Sequence, residues 1–456
     1  MKNIKKIHFI GIGGAGMFAL ACIAIEQNFL VSGSDSQDSC NIQNLKKRGI
    51  KVYVGHDKKN IDNPDLVVYS GAIKKDNLEF AEAIKNKIKL MTRSQFLSKI
   101  FKRYKNSIAV SGSHGKTTTT SMITQILFKF DPTVIVGAYF KLINGNSRIG
   151  NSDFVVCEAC EYLDSFLDLE PNVGVILNID NDHLDYFKNL ENEINSFGKF
   201  AEKCNVLVIN KDDKNSVKAT NNFAGKKIFY SLESNSEFMA RNIQNLNGNI
   251  SFDVSQDNNI IFNIKLKIPG KHNVYNALAA IAVCNFFGLE NQDIKSALEV
   301  FSGPERRLET ISKINGITIM DDFAHHPTEI EASLKAVTEM NFNRILLVFQ
   351  PHTFSRTYLL MNDFIRVFSS FNLFKIILTD ILPIREKNIY KIKSEDLASK
   401  IPNCICLRTF ERIAEYLAEN SKSGDLVLTM GGGDIYKCAR MILEKQISSE
   451  NLYKNP

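Results

Sequence analysis

Short apolar runs rich in Ile and Val recur through almost the whole chain, each followed by a helix-length amphipathic stretch: KKIHFIGIG, FLVSGSD, DLVVYSG, SIAVSGSHG, DFVVCEA, VGVILNID, NVLVINKDD, RILLVFQPH, FKIILTD and DLVLTMGGGD. Continuous rather than alternating hydrophobicity is the pattern of strands covered on both faces, and strands alternating with helices build mainly parallel sheets. The class expected is α/β. Most runs end in Gly, Ser, Asp, Asn or His, and open parallel sheets hold their ligands beyond these carboxyl ends. At 456 residues the chain exceeds what one hydrophobic core supports, so about two to four domains are expected.

Two breaks divide it. FLSKIFKRYKNS (Phe96–Ser107) reads as a basic amphipathic helix before a new strand; in FSGPERRLET (Phe301–Thr310), Gly303 and Pro304 stop a helix before another strand begins. The units expected are 1–103, 104–304 and 305–456. Within the second, Asn245–Gly270 alternates with period two between turn residues, which predicts a small antiparallel excursion.

Charge and cysteine usage exclude several classes. Lys+Arg 56 against Asp+Glu 50 leaves +6 without a basic tail, and no arginine cluster interleaved with aromatics forms a nucleic-acid platform. No run reaches the ~18 apolar residues of a membrane span. The start MKNIKKIHFIGIGGAG passes straight from a short apolar run into a glycine turn, unlike a secretion signal. Nine scattered cysteines give no disulfide framework, and the C-x-x-C of Cys157 and Cys160 lacks a second pair for zinc. A cytoplasmic protein with buried, reduced thiols is expected, bound to neither membrane nor nucleic acid.

Two glycine loops carry the chemistry. Gly11, Gly13 and Gly16 fit G-x-G-x-x-G between a strand and a helix, and Asp35 closes the next strand. Such glycines let backbone approach a diphosphate at a helix N-terminus, while the acid takes a ribose hydroxyl. A nicotinamide cofactor, another diphosphate and a structural turn all remain open on this loop alone. SGSHGKTTTT (Ser111–Thr120) is a phosphate loop with only Ser113 and His114 between Gly112 and Gly115. Its strand, loop and helix order suits a triphosphate, with Lys116 on the β and γ oxygens and Thr117 on Mg²⁺. Glu158, after FVV, and Asp180, Asp182, His183 and Asp185 in LNIDNDHLDYF lie at further strand ends, where carboxylates and an imidazole suit a partly hydrated Mg²⁺.

These stretches belong to an ordered set: HFIGIGGAGM (His8–Met17), VSGSD (Val31–Asp35), GSHGKTTTT (Gly112–Thr120), LNIDNDHLDYF (Leu177–Phe187), GKHNVYNALAA (Gly270–Ala280), GPERRLE (Gly303–Glu309), DDFAHHPTEI (Asp321–Ile330), FQPHTFSRT (Phe349–Thr357) and LTMGGGDIY (Leu428–Tyr436). The set resembles the Mur ligases, ATP-dependent amide-forming enzymes of peptidoglycan precursor synthesis, which share the shortened G-x-x-G-K-T loop.

The resemblance implies three domains: a Rossmann-like N-terminal domain, a central P-loop ATPase domain with a mainly parallel sheet plus a small antiparallel part, and a Rossmann-like C-terminal domain. It implies a ligase that joins L-alanine to the lactyl carboxylate of UDP-N-acetylmuramate through an acyl phosphate, using ATP and Mg²⁺, as a monomer or homodimer. By resemblance, Gly11, Gly13, Gly14, Gly16, Ser34 and Asp35 hold the UDP-sugar. ATP lies on Gly112, Ser113, His114, Gly115, Lys116, Thr117 and Thr118, with Asn273 and Asn276 toward adenine and Asp322 or Asp321 toward ribose. Thr117, Glu158 and His183 bind Mg²⁺. Arg306 or Arg307 meets the transferring phosphoryl group, and His326 or His325 with Arg356 binds the amino acid; Lys116, Arg306 and His326 are the catalytic set. Closure of the C-terminal domain is expected to keep water from the intermediate.

The chain departs from the family pattern twice. EACEYLDSF (Glu158–Phe166) replaces an EADESD-like stretch, which favours Glu158 over Glu161 and Asp164 as the metal ligand, and Phe323 stands where relatives often have Tyr. A ligase that attaches a ready-made tripeptide to the same sugar nucleotide is the neighbouring alternative. A nicotinamide-dependent oxidoreductase, resting on Gly11–Gly16 and Asp35, is the alternative from another class and leaves Lys116 and Thr117 unexplained.

Overall fold

The computed structural model describes residues 4–383 and 386–454. The first sheet is wholly parallel, in the order Lys51–Val54, Leu30–Asp35, Lys6–Ile10, Leu66–Tyr69, Lys89–Thr92. Strand succession reverses at Lys6–Ile10, so the crevice beyond its carboxyl end, at Gly11, is the ligand position of a doubly wound sheet. The helix that follows, Ala15–Glu26, is buried from Met17 through Ala24 except at Phe18. Strand Gly145–Arg148 lies against it: the Asn146 amide donates to the Ala15 carbonyl at 3.0 Å and the Ser147 hydroxyl to that of Ala19 at 3.5 Å.

The second sheet is centred on Asn106–Ser111, flanked in parallel by Val173–Ile176 and Phe154–Glu158. Val206–Asn210 and Lys226–Ser231 extend it on one side. On the other, Thr133–Phe140 runs parallel to Phe154–Glu158 and takes Gly145–Arg148 antiparallel. The excursion expected at Asn245–Gly270 begins earlier, as strands Phe238–Leu246, Asn249–Gln256 and Asn259–Leu266. Asn247-Gly248 and Asp257-Asn258 join them with φ of 53, 86, 49 and 67°, the mirror-image turns that suit hairpin twist.

The basic stretch marking the first expected break is a core helix. Arg93–Phe101 buries Phe96, Leu97, Ile100 and Phe101, and Phe96 meets Phe9 edge to face at 5.7 Å. They share one apolar cluster with Ile7, Phe166, Phe200 and Leu207. The third sheet runs Glu309–Ile314, Ile317–Asp322, Asp425–Met430, Arg344–Phe349, Lys375–Leu378, Cys404–Cys406; only its first pair is antiparallel. By contacts the chain forms two compact units, Met1–Ala240 with Val254–Phe262 and Tyr275–Leu298, and Arg241–Asp253 with Asn263–Val274 and Glu299–Pro456. Among the described residues no helix is long and apolar enough to cross a membrane. All nine cysteines are free; Cys157 is buried, but Cys160 only partly so.

Candidate functional site

In the first unit, three adjacent strands end together. The loop leaving Asn106–Ser111 needs its glycines: Gly112 has φ 138° and Gly115 φ 85°, and a Cβ on Gly115 would lie 2.6 Å from Asn276 Oδ1. Helix Lys116–Leu127 starts at Gly115, with Thr117 and Thr118 buried in its first turn. Asn178 and Asp180, beyond strand Val173–Ile176, clasp the loop. The Asn178 Oδ1 accepts from the His114 amide at 2.8 Å, Asp180 N donates to the Ser113 hydroxyl at 2.8 Å, and His114 Nε2 lies 2.9 Å from Asp180 Oδ2.

Lys116 points along the loop. Its ammonium donates to the Gly112 and Ser113 carbonyls and to both oxygens of Glu161, at 3.0 and 2.9 Å. Burial alone would push the ammonium down, but the facing Glu161 carboxylate holds it above the usual lysine range. His183 Nε2 lies 3.6 Å from Glu161 Oε1, and its ring rests on Tyr162 with centroids 4.7 Å apart. Burial opposes its charge, yet Glu161 raises it. Glu158 is turned elsewhere, accepting from the Gly137 amide. The Asp185 side chain lies outside the described residues.

Glu193 lies beneath this loop, fully buried, and accepts from the Ser113 hydroxyl at 3.3 Å. Burial, then the Glu161 and Asp182 charges, push its carboxyl from 4.5 up to about 8. The folded protein therefore keeps a proton that the unfolded chain has released, and stability falls as the pH rises from 4.5 toward 8. Glu193→Gln is expected to remove this dependence. Relative to the variant, the wild type should lose about 2–3 kcal/mol between pH 5.5 and 7.5 in urea unfolding; parallel pH profiles would contradict the assignment.

The first glycine loop is built from its neighbouring strand. Gly11 and Ile12 amides donate to the Ser34 carbonyl at 2.8 and 2.9 Å, and the Gly13 amide to Asp35 Oδ2 at 2.9 Å. Asp35 thus braces the loop, and Gly14 opens helix Ala15–Glu26. Beneath it the buried Glu79 collects the Ser34 hydroxyl and the Asn60 amide, with His8 Nε2 at 3.5 Å and His56 Nδ1 at 3.4 Å. Burial works against the Glu79 charge, but these donors hold its carboxyl below the usual range.

In the second unit, Arg306 is spent on structure. Nε donates to Asp321 at 2.7 Å, Nη1 to the Gly433 carbonyl at 2.8 Å and Nη2 to that of Gly431 at 2.7 Å. The guanidinium lies 5.0 Å from both the Phe323 and Tyr436 rings. Arg307 sits 5.2 Å from Phe323, and among the described residues its buried Nε has no hydrogen-bond partner. Asp322 accepts from the Leu308 and Ala324 amides at 2.8 and 2.6 Å; burial pushes it up to about 6 against the pull of Arg307. His326 caps helix Pro327–Thr338 through Nδ1. His325 packs on His352 at 5.1 Å, and Arg356 donates to the His352 carbonyl at 2.9 Å.

Residues 6–105 match the Mur ligase family catalytic domain, 110–284 the Mur ligase middle domain and 306–433 the Mur ligase glutamate ligase domain. The chain belongs to the Mur ligase family. It is 46% identical over 452 residues to the UDP-N-acetylmuramate–L-alanine ligase of Caldicellulosiruptor saccharolyticus, covering 97% of this chain and 99% of the relative. It is 45% identical over 454 residues to that of Clostridium tetani, with the same coverage. Among solved structures, the UDP-N-acetylmuramate-alanine ligase of Thermotoga maritima superposes with a TM-score of 0.83 at 28% identity, covering 97% of this chain and 99% of that one. The expected three-domain α/β fold is that of the family.

Within this Mur ligase, the expected nucleotide residues Gly112 to Thr118 come together with Asn276, whose Oδ1 accepts from Thr119 at 3.2 Å. Asn273, one turn earlier, instead donates to the Pro269 carbonyl at 2.6 Å. Glu161, ranked below Glu158 from sequence, is the carboxylate beside Lys116 and His183, whereas Glu158 accepts from Gly137. EACE holds both glutamates three residues apart, at and just past the end of one strand, without telling which faces the loop. Sequence reasoning also passed over Glu79, Glu193 and His352; only His352, at a strand end in FQPH, stood in a recognised motif.

Proposed function

We propose that this Mur ligase joins L-alanine to the lactyl carboxylate of UDP-N-acetylmuramate at the expense of ATP, in the cytoplasm, during peptidoglycan precursor synthesis. The observation that carries the chemistry is the partly buried Lys116 ammonium held at a helix N-terminus by the buried Glu161. A carboxylate acylates poorly until phosphorylated. Lys116 and the amides of Gly112–Thr118 neutralise charge as the γ-phosphoryl moves to the lactyl oxygen, and the alanine amine then displaces phosphate from the acyl phosphate.

The donor set fits Mg²⁺: the Thr117 hydroxyl, the buried Glu161 carboxylate and His183, with Glu158 at the same strand end, are hard oxygen and imidazole ligands. When bound, the ion screens the phosphate charge. The first glycine loop, with Ser34 and Asp35, takes the uridine diphosphate part. In the second unit Arg307, whose donors are less committed than those of Arg306, is assigned the phosphoryl group, and His325 with His352 and Arg356 the amino acid. His326 and Asp322 support these groups as a helix cap and a turn brace. The domain limits 1–103, 104–304 and 305–456 belong to the same reading.

The purified chain should release ADP and phosphate from ATP and Mg²⁺ only when UDP-N-acetylmuramate and L-alanine are both present. Absence of alanine-dependent ADP formation would sink the proposal, and stimulation by a tripeptide in place of alanine would move it to the neighbouring ligase.

A further inference from the structure

We propose that Arg93 is a ligand of the sugar nucleotide's diphosphate, laid over the first glycine loop. The inference rests on the sugar-nucleotide reading of that loop and adds a cation to it. Arg93 lies outside every motif that carried the family resemblance.

Its backbone is fixed. Arg93 opens helix Arg93–Phe101, where Thr92 and Gln95 form a reciprocal capping box and Phe96, Leu97, Ile100 and Phe101 enter the core. Ser94 donates to Asp168 at 2.5 Å. From this anchor the side chain crosses Gly16: a Cβ there would stand 3.0 Å from Nη1, 3.3 Å from Cδ and 3.6 Å from Cζ. The guanidinium thus packs on the last glycine of the loop. Its charge also acts on the Cys157 and Cys160 thiols, where burial pushes the thiols up and Arg93 pulls against it.

The electrostatics lack one member. Arg93 is only partly exposed, yet among the described residues its guanidinium makes no hydrogen bond or ion pair. Carboxylates of the surrounding elements are committed: Asp35 to Gly13, Asp168 to Ser94, Glu158 to Gly137 and Glu161 to Lys116. The first turn of a helix is also where the backbone repels a cation. A planar fork of donors against a glycine loop matches phosphate oxygens. The sugar nucleotide also carries a lactyl carboxylate, but direct packing on Gly16 favours the diphosphate.

Calorimetric titration of the full chain with UDP and with UDP-N-acetylmuramate tests this. Arg93→Gln should weaken both by the same factor, roughly ten- to hundred-fold, while binding of a non-hydrolysable ATP analogue is unchanged. Weakening of UDP-N-acetylmuramate alone, or of neither, would overturn the assignment. In the wild type, saturating UDP should block phenylglyoxal labelling of Arg93 read by peptide mass spectrometry. Labelling indifferent to UDP overturns it even where Arg93→Gln does not fold. A wild type that binds neither nucleotide removes the sugar-nucleotide reading itself, and this inference with it.

Discussion

Lys116→Ala is expected to lower turnover by on the order of 10³-fold, because a fixed charge aimed at a transferring phosphoryl group is worth that much in a site that excludes water. The wild-type ammonium is held over the loop by four acceptor oxygens, those of Gly112, Ser113 and Glu161, and exchanges some of them for phosphate oxygens when ATP binds. The variant also leaves Glu161, at 1% exposure, with only His183 as a cation partner, and a stability loss will accompany the rate loss. The two effects separate in the double variant Lys116→Ala with Glu161→Gln. Removing the orphaned charge should restore much of the unfolding midpoint without restoring single-turnover ADP formation. Turnover within tenfold of wild type in Lys116→Ala would refute the role of the lysine.

How far such a site can be read from sequence depends on whether its parts are local. The G-x-x-G-K-T loop is local: the glycines answer to their own positive φ and the lysine to the helix it opens, so the spacing carries the geometry. The same holds for Ile- and Val-rich strands buried on both faces, such as Asn106–Ser111 and Val173–Ile176. Strand Gly145–Arg148 escaped the pattern because GNSR has no apolar residue to show. Its place is set by pairing with Thr133–Phe140 and by the Asn146 and Ser147 hydrogen bonds to a helix about 130 positions away. The choice between Glu158 and Glu161 was undetermined for a related reason: both leave the same strand, and which one faces Lys116 depends on the turn through Tyr162–Asp168, where Leu163 and Asp164 take φ of 56 and 55°. That turn is held from outside, by the Tyr186 hydroxyl on Asp164 at 2.7 Å. Arg306 and Arg307 are adjacent and chemically equal in sequence; only the strand ends at Asp321 and Gly431–Gly433 tell them apart.

That difference gives the second large effect. Arg306→Ala is expected to destabilise the second unit by roughly 3–5 kcal/mol, the loss typical of removing one partner from a buried ion pair. Asp321 is fully buried, and besides Arg306 it has the Thr429 hydroxyl as a donor. Burial already raises its carboxyl while Arg306 pulls it down; without the guanidinium it must rise further above its unfolded value. The carbonyls of Gly431 and Gly433 lose their donors at the same stroke. Arg307→Ala removes a guanidinium whose buried Nε has no hydrogen-bond partner among the described residues but whose charge pulls on the buried Asp322, so its stability loss should be smaller than that of Arg306→Ala while turnover falls. Urea unfolding of both variants at several pH values separates structure from chemistry. Protonating Asp321 removes the stranded charge, so the deficit of Arg306→Ala should shrink as the pH falls. Equal midpoints for the two variants, or a deficit in Arg306→Ala that is independent of pH, would mean that the Asp321 carboxylate does not depend on Arg306.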